Sequence, residues 1–339
     1  MTPFSRVAVT GGAGYVGSAL VPALVEAGYD VTVLDCFFYG DHVFDGLRGH
    51  PCLHPVRLDI RDERALTAAL QGMEAVVHLA CISNDPSFEL DPRLGKSINY
   101  DAFAGVLRAV RANSVKRFIY ASSSSVYGVK DQPDVREEDA CEPLTDYSRY
   151  KWLCEQQLRD EGLGSCEWVI LRPATVCGWA PRLRLDLTVN LLTIHALVNR
   201  VITVFGGTQL RPNLHIHDMV AAYRAMLEAP GDLVHGQTWN VGYQNRSVME
   251  LAELVRRQLG DPAARIEVRP TDDVRSYHIN ADRIRQAVGF APRWTIEEAV
   301  QGLCEAYRDG KIPNPLTDPR YHNLNMMQQL LQQEELFVG

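Results

Sequence analysis

The sequence predicts an α/β fold, a doubly wound parallel sheet with a smaller C-terminal lobe. Three observations lead there. Short β-rich runs alternate with helical patterns through the first half of the chain. A glycine-rich turn joins the first run to the first helical pattern. The rhythm then loosens after Arg172, where Pro173, Gly178 and Pro181 interrupt it. Strands alternating with helices require a parallel sheet covered on both faces.

In chain order, strands are expected at Val7–Val9, Val31–Leu34, Pro55–Leu58, Ala75–Leu79, Arg117–Ala121 and Trp168–Leu171. The helical patterns between them fall at Gly14–Ala27, Arg61–Leu70, Pro92–Ala112 and Asp146–Glu161. The second half carries helical patterns at Val189–Asn199, Asp218–Leu227, Val248–Leu259 and Ile296–Tyr307, with short strands at Ile202–Val204 and Ile266–Val268. No flexible linker divides the halves. Residues 1–172 read as one domain, 173–310 as a lobe interleaved with it, and 311–339 as a helical extension. In that extension Leu324, Met327 and Leu331 recur at helical spacing, which reads as a helix docked on its own subunit in preference to an oligomer contact.

Composition narrows the function. The 339 residues carry a net charge of −8 and no long lysine or arginine run, against a nucleic-acid footprint. No stretch is long and apolar enough to span a bilayer, and the run Met1–Arg6 reads as leading into a strand, with no signal segment expected. The eight cysteines form no C-x-x-C pair, so reduced thiols and a cytoplasmic setting are expected, with no metal site.

The run Gly11-Gly12-Ala13-Gly14-Tyr15-Val16-Gly17 lies between a strand and a helix. Glycines there allow a tight turn and close backbone approach to a pyrophosphate, and the helix aims free N–H groups at it. Gly11, Gly14, Tyr15, Val16 and Gly17 are therefore expected at a dinucleotide, which makes the fold Rossmann-type. Asp35 ends the next strand, where a carboxylate accepts ribose hydroxyls and repels a 2′-phosphate. NAD is preferred over NADP on that ground. Asp59 and Ile60, after the following strand, are placed at the adenine, and Leu79 and Ala80 border the cofactor. His78 reads as a packed residue.

Hydroxyls cluster at Ser122-Ser123-Ser124-Ser125, at a C-terminal strand end where open sheets bind ligands. Tyr147 and Lys151 stand four apart and share a helix face. A free phenol titrates near pH ~10. A nearby ammonium and a cationic nicotinamide favour the phenolate, which turns a tyrosine into a base at neutral pH.

With these residues in place, the sequence resembles the extended short-chain dehydrogenase/reductases of the nucleotide-sugar branch, from about Arg6 to Tyr307. The resemblance rests on Gly11–Gly17, His78-Leu79-Ala80, Ser122–Gly128, Tyr147–Lys151 and Arg211–Asp218. It implies Tyr147 as base, Lys151 as its electrostatic partner and ribose ligand, and Ser123 as the hydroxyl bridging to the sugar. It sets Asn99 against the cofactor. It assigns Ser83, Ser124, Thr175, Asn190, Arg211 and Arg275 to a nucleotide-diphosphate sugar, and implies a homodimer. The stretch Pro181–Leu187 looks like that of heptose-nucleotide C4 dehydrogenases, so Arg182 is expected at phosphate or sugar.

Thr175 stands where many relatives carry asparagine, which changes one substrate contact. Relatives that dehydrate carry Asp-Glu after the catalytic hydroxyl, and decarboxylating relatives carry a Glu at the second position. Here those places are Ser124 and Ser125, neither a general acid–base at neutral pH. The expected reaction is 4-epimerisation through a 4-keto sugar. A C4 dehydrogenase or ketoreductase shares every catalytic residue, whereas a non-catalytic NAD-sensing regulator would usually lack the Tyr–Lys pair.

Overall fold

The computed structural model describes residues 4–130, 132, 134–271, 276 and 278–333. Seven parallel strands form the main sheet: β1 (Arg6–Thr10), β2 (Asp30–Asp35), β3 (Leu53–Arg57), β4 (Ala75–His78), β5 (Arg117–Ala121), β6 (Glu167–Pro173) and, much later in the chain, β10 (Gln237–Val241). Their order across the sheet is β10-β6-β5-β4-β1-β2-β3. Alternate residues serve opposite faces, as the pleat dictates. Val7, Val9, Val31, Val33 and Val77 join the core under one face. Ala8, Leu34, Val76, Phe118 and Ile170 join the core under the other. Both faces are covered, which is why these strands read as continuous apolar runs.

The smaller lobe adds two short sheets. β7 (Thr175–Cys177) pairs in parallel with β9 (Leu210–His215), which pairs antiparallel with β11 (Gln244–Ser247). β8 (Val201–Phe205) pairs with β12 (Arg265–Arg269). The expected helices of the lobe all form. Its strands β7, β9 and β11, and β10 of the main sheet, escape sequence reading, because they are polar or too short to show a period of two.

One helical pattern is corrected. Pro92–Ala112 is not continuous: Pro92–Lys96 passes through a π turn at Ser97–Asp101 before Ala102–Ala112. Within that turn the Asn99 carbonyl accepts the Cys154 thiol at 3.2 Å, tying the widened turn to the helix Asp146–Glu161.

That helix is seated by charge. Thr145 and Ser148 close a capping box at its start. Tyr147, Lys151 and Glu155 then fall on one face at successive intervals of four. Glu155 is fully buried and accepts from Ser122 Oγ at 2.5 Å, from Arg172 Nε and Nη2 at 3.0 and 2.7 Å, and from Arg159 Nη2 at 2.9 Å. Arg172, itself buried on β6, also donates to Tyr127 Oη at 2.9 Å. One carboxylate thus ties the helix to the ends of β5 and β6.

Removing one partner of a buried ion pair leaves the other charge uncompensated, at a cost of ~3–5 kcal/mol. Glu155→Ala should lower unfolding free energy by that order in urea denaturation, and a loss below ~1 kcal/mol would contradict the role given to this carboxylate.

Candidate active site

A cavity of about 860 Å³ runs over the C-terminal ends of the strands. Strand order reverses between β1 and β4, and ligands of open α/β sheets bind at such a switch point. The loops after β1, β2, β4 and β5 form its floor, and the segment Pro173–Leu192 closes it from the lobe.

The cofactor half is built by the glycine turn. Gly11 has a φ of +69°, and a Cβ there would stand 2.6 Å from the Ala80 amide nitrogen. A methyl on Gly17 would collide with the Gly12 backbone. The helix Tyr15–Glu26 opens with no side-chain cap and no acidic residue in its first turn, so its free N–H groups face an incoming anion. Asp35 accepts the Ala13 amide at 2.9 Å and the Phe37 amide at 2.7 Å, which ties the turn to the end of β2. Burial pushes the Asp35 carboxyl up, and those two N–H groups pull it back. Gly11, Gly14, Tyr15, Val16, Gly17, Asp35, Asp59, Ile60, Leu79 and Ala80 all line this half. The Asp59 carboxylate is paired with Arg61 at 2.5 Å. This cradle, with its uncapped helix end, fits a dinucleotide.

Ser123, Tyr147 and Lys151 line the middle of the cavity. Lys151 is buried and donates to the Ala121 carbonyl at 2.7 Å, leaving two further ammonium protons. Ser123 Oγ accepts from Ser125 N at 3.1 Å and from Ser125 Oγ at 2.8 Å. The expectation of a lowered Tyr147 pKa is corrected for the chain alone. Burial pushes the phenol well above its ordinary value, and Arg184 and the Ser123 hydroxyl pull it only part of the way back. His78 bonds Thr10 at 2.7 Å, and burial, with the Lys151 ammonium second, pushes it down to about 3. It is a packed neutral residue.

The substrate half is assembled less as expected. Ser83, Ser124, Thr175, Arg182 and Arg211 line the cavity, as do Thr203, Phe205 and Gln209. Asn190 does not line it. Its buried amide accepts from Gly178 N at 2.9 Å and donates to Tyr15 Oη and the Arg184 carbonyl, so it braces the lobe against the glycine-loop helix. Asn99 is likewise withdrawn, its amide exchanging two bonds with the Ile82 backbone at 2.8 and 2.9 Å. Both amides are consumed by backbone groups that would otherwise be buried unpaired. Arg275 lies outside the described residues.

Other lining residues went unread in the sequence. Arg184 and Asp186 form a buried ion pair at 2.8 Å. Arg184 also donates to Ser83 Oγ at 3.1 Å, and Asn84 donates to Asp186 at 2.7 Å. Burial alone would raise Asp186, but Arg184 holds it below the usual carboxylate range. The two-residue spacing in an extended segment was the available signal for this pair. Asn323 arrives from the helix Asn323–Gln332 and donates to Ser83 Oγ at 3.0 Å. Met326, Met327 and Leu330 of that helix pack on Ile82, Phe88 and Leu94, so the chain's last described helix roofs the catalytic end. Nothing local to the tail foretells which wall it completes.

The sequence profile of the NAD-dependent epimerase/dehydratase family matches residues 7–242. A Bacillus subtilis protein named as an uncharacterised UDP-glucose epimerase is 32% identical over 265 residues, covering 74% of this chain and 81% of its own. The UDP-glucose 4-epimerase of Azospirillum brasilense is 28% identical over 314 residues, covering 85% and 87%. Among solved structures, MoeE5 in complex with UDP-glucuronic acid and NAD superposes with a TM-score of 0.77 at 27% identity, covering 90% of this chain and all of that one.

Asp35 generates a direct test of cofactor choice. A second negative charge beside a buried carboxylate costs several kcal/mol, or ~100-fold in affinity. Calorimetric titration should show NAD binding tighter than NADP by that order, and Asp35→Ala should narrow the gap. Equal affinities in the parent protein would remove Asp35 from the ribose.

Proposed function

The chain belongs to the NAD-dependent epimerase/dehydratase family, whose members act on nucleotide sugars, and on that footing we propose that it is a nucleotide-sugar 4-epimerase working through a 4-keto sugar. One observation carries the reading: Tyr147 and Ser123 face the same cavity as the glycine cradle, while the two positions after Ser123 are serines. A 4-hydroxyl can be deprotonated there, but no carboxyl at those positions continues to dehydration or decarboxylation.

Bound NAD supplies the hydride acceptor and donor at the sugar carbon. The chain's residues manage the protons and the charge. Tyr147 takes the 4-hydroxyl proton through or beside Ser123, and returns it when the ketone is reduced. Ser125 holds the Ser123 hydroxyl in place by donating to it. Lys151, anchored on Ala121, keeps a fixed positive charge beneath the Tyr147 ring, 5.9 Å from its centroid. Burial opposes the phenolate, and the Arg184 charge and the Ser123 hydroxyl pull the other way. The diphosphate is assigned to the Arg211 end, where a guanidinium offers a rigid donor fork.

Purified protein offered UDP-, GDP- and dTDP-linked sugars should form a 4-epimer, read by NMR, without added NAD. Accumulation of keto sugar in step with reduced cofactor would make it a C4 dehydrogenase instead. Tyr147→Phe should lower kcat by ~10²–10⁴-fold. Ser123→Ala should cost less, since water replaces part of a proton relay. Turnover by Tyr147→Phe within a few-fold of the parent would remove the phenol from the chemistry.

A further inference from the structure

Arg182 is 3% exposed, yet among the described residues no carboxylate lies within ion-pair distance of it, and its buried Nε has no hydrogen-bond partner. Every other buried arginine of the cavity and its supports is matched. Arg184 has Asp186, and Arg172 has Glu155. Arg184 and Asp186 cancel each other, so among the described residues Arg182 is left with no carboxylate in contact, and Asp35 acts on it only at longer range. A buried guanidinium without a counter-charge is costly, and such groups mark places where an anion binds.

The position of the side chain selects which anion. The Arg182 amide donates to Ser18 Oγ at 3.1 Å, and Ser18 Oγ donates in turn to the Tyr15 carbonyl at 3.0 Å. The residue is thereby pinned to the first turns of the glycine-loop helix. Its guanidinium carbon stands 3.7 Å from the centroid of the Tyr39 ring, just beyond Asp35 at the end of β2. Stacking on an aromatic face fixes the plane of the fork. Nη2 is held by Asn323 Oδ1 from the last described helix. The guanidinium thus lies between the glycine turn and the segment after β2, and it lines the cavity there. Asn323 links it to the sugar end, bonding Arg182 on one side and Ser83 on the other, and Tyr39 packs in the cluster that also holds Tyr147.

We propose that Arg182 is a ligand of the cofactor diphosphate, a guanidinium contributed across the cavity by the second lobe and aimed by Asn323. This replaces the expectation of a substrate contact. The uncapped helix end and the guanidinium then face the same diphosphate from two sides, and the unpartnered Arg182 Nε gains an acceptor when the dinucleotide binds. Through Asn323 the tail helix fastens that ligand. The proposal depends on NAD binding alone and not on which sugar reaction follows.

The test is a set of titrations on Arg182→Met, which keeps the length and apolar stem, and on Arg182→Lys. NAD and ADP-ribose should each bind Arg182→Met at least tenfold more weakly, and adenosine, which has no diphosphate, should bind as in the parent. UDP affinity should stay within about twofold. Arg182→Lys should recover part of the loss. Without ligand, Arg182→Met should melt no lower than the parent, since it removes an uncompensated charge. Loss of UDP affinity with NAD unchanged would return Arg182 to the substrate. Equal loss of all ligands with a lowered melting point in both variants would make Arg182 structural and overturn the proposal, as would unchanged binding of every ligand.

Discussion

The active site depends on a single buried carboxylate. Glu155 has no exposed surface and gathers four hydrogen bonds from Ser122, Arg172 and Arg159. Two of those partners sit on or just beyond strands of the main sheet, and Ser122 directly precedes the Ser123 hydroxyl. Glu155 is on the same helix face as Lys151 and Tyr147. Its bonds therefore fix the height and rotation of the helix against the strand end, and with them the separation of phenol and serine. Lys151 repeats the tie four residues earlier on the Ala121 carbonyl. A charge network that breaks even as stabilisation still has a use when it sets a register, as this one does.

The cavity then sets a conflict that the reaction has to resolve. Enclosing Tyr147 under the tail helix excludes water and strengthens every interaction inside, but the same burial holds the phenol protonated. The chain answers with cations. Arg184 pulls the phenol's pKa down, the Lys151 ammonium stands 5.9 Å from the Tyr147 ring centroid, and a bound nicotinamide cofactor would add positive charge of its own.

Much of this was legible in the sequence where the physics is local. A glycine turn between Thr10 and Tyr15 has few conformations open to it, and an acid ending β2 lies next to that turn. Tyr147 and Lys151 are joined by helical spacing, so their shared face follows from number alone. What could not be read was decided by distant packing. Asn99 and Asn190 carry ligand-like side chains, but the fold buries backbone groups beside them, and the amides go there. The π turn at Ser97–Asp101 has a sequence no different from that of an ordinary helix. β9 contains Pro212 and alternates weakly, so it became visible only when β7 and β11 were seen beside it. Asn323 enters the site from more than a hundred residues beyond Arg182.

The central claim is that hydride leaves and returns to the same sugar carbon while Tyr147 carries the proton. A nucleotide sugar deuterated at C4 tests this most directly, with the product examined by NMR and mass spectrometry in ordinary water. Epimer that keeps its deuterium at C4, with none gained from deuterated solvent in the converse experiment, is the predicted result. Deuterium lost to solvent, or found on another carbon of the sugar, would contradict it.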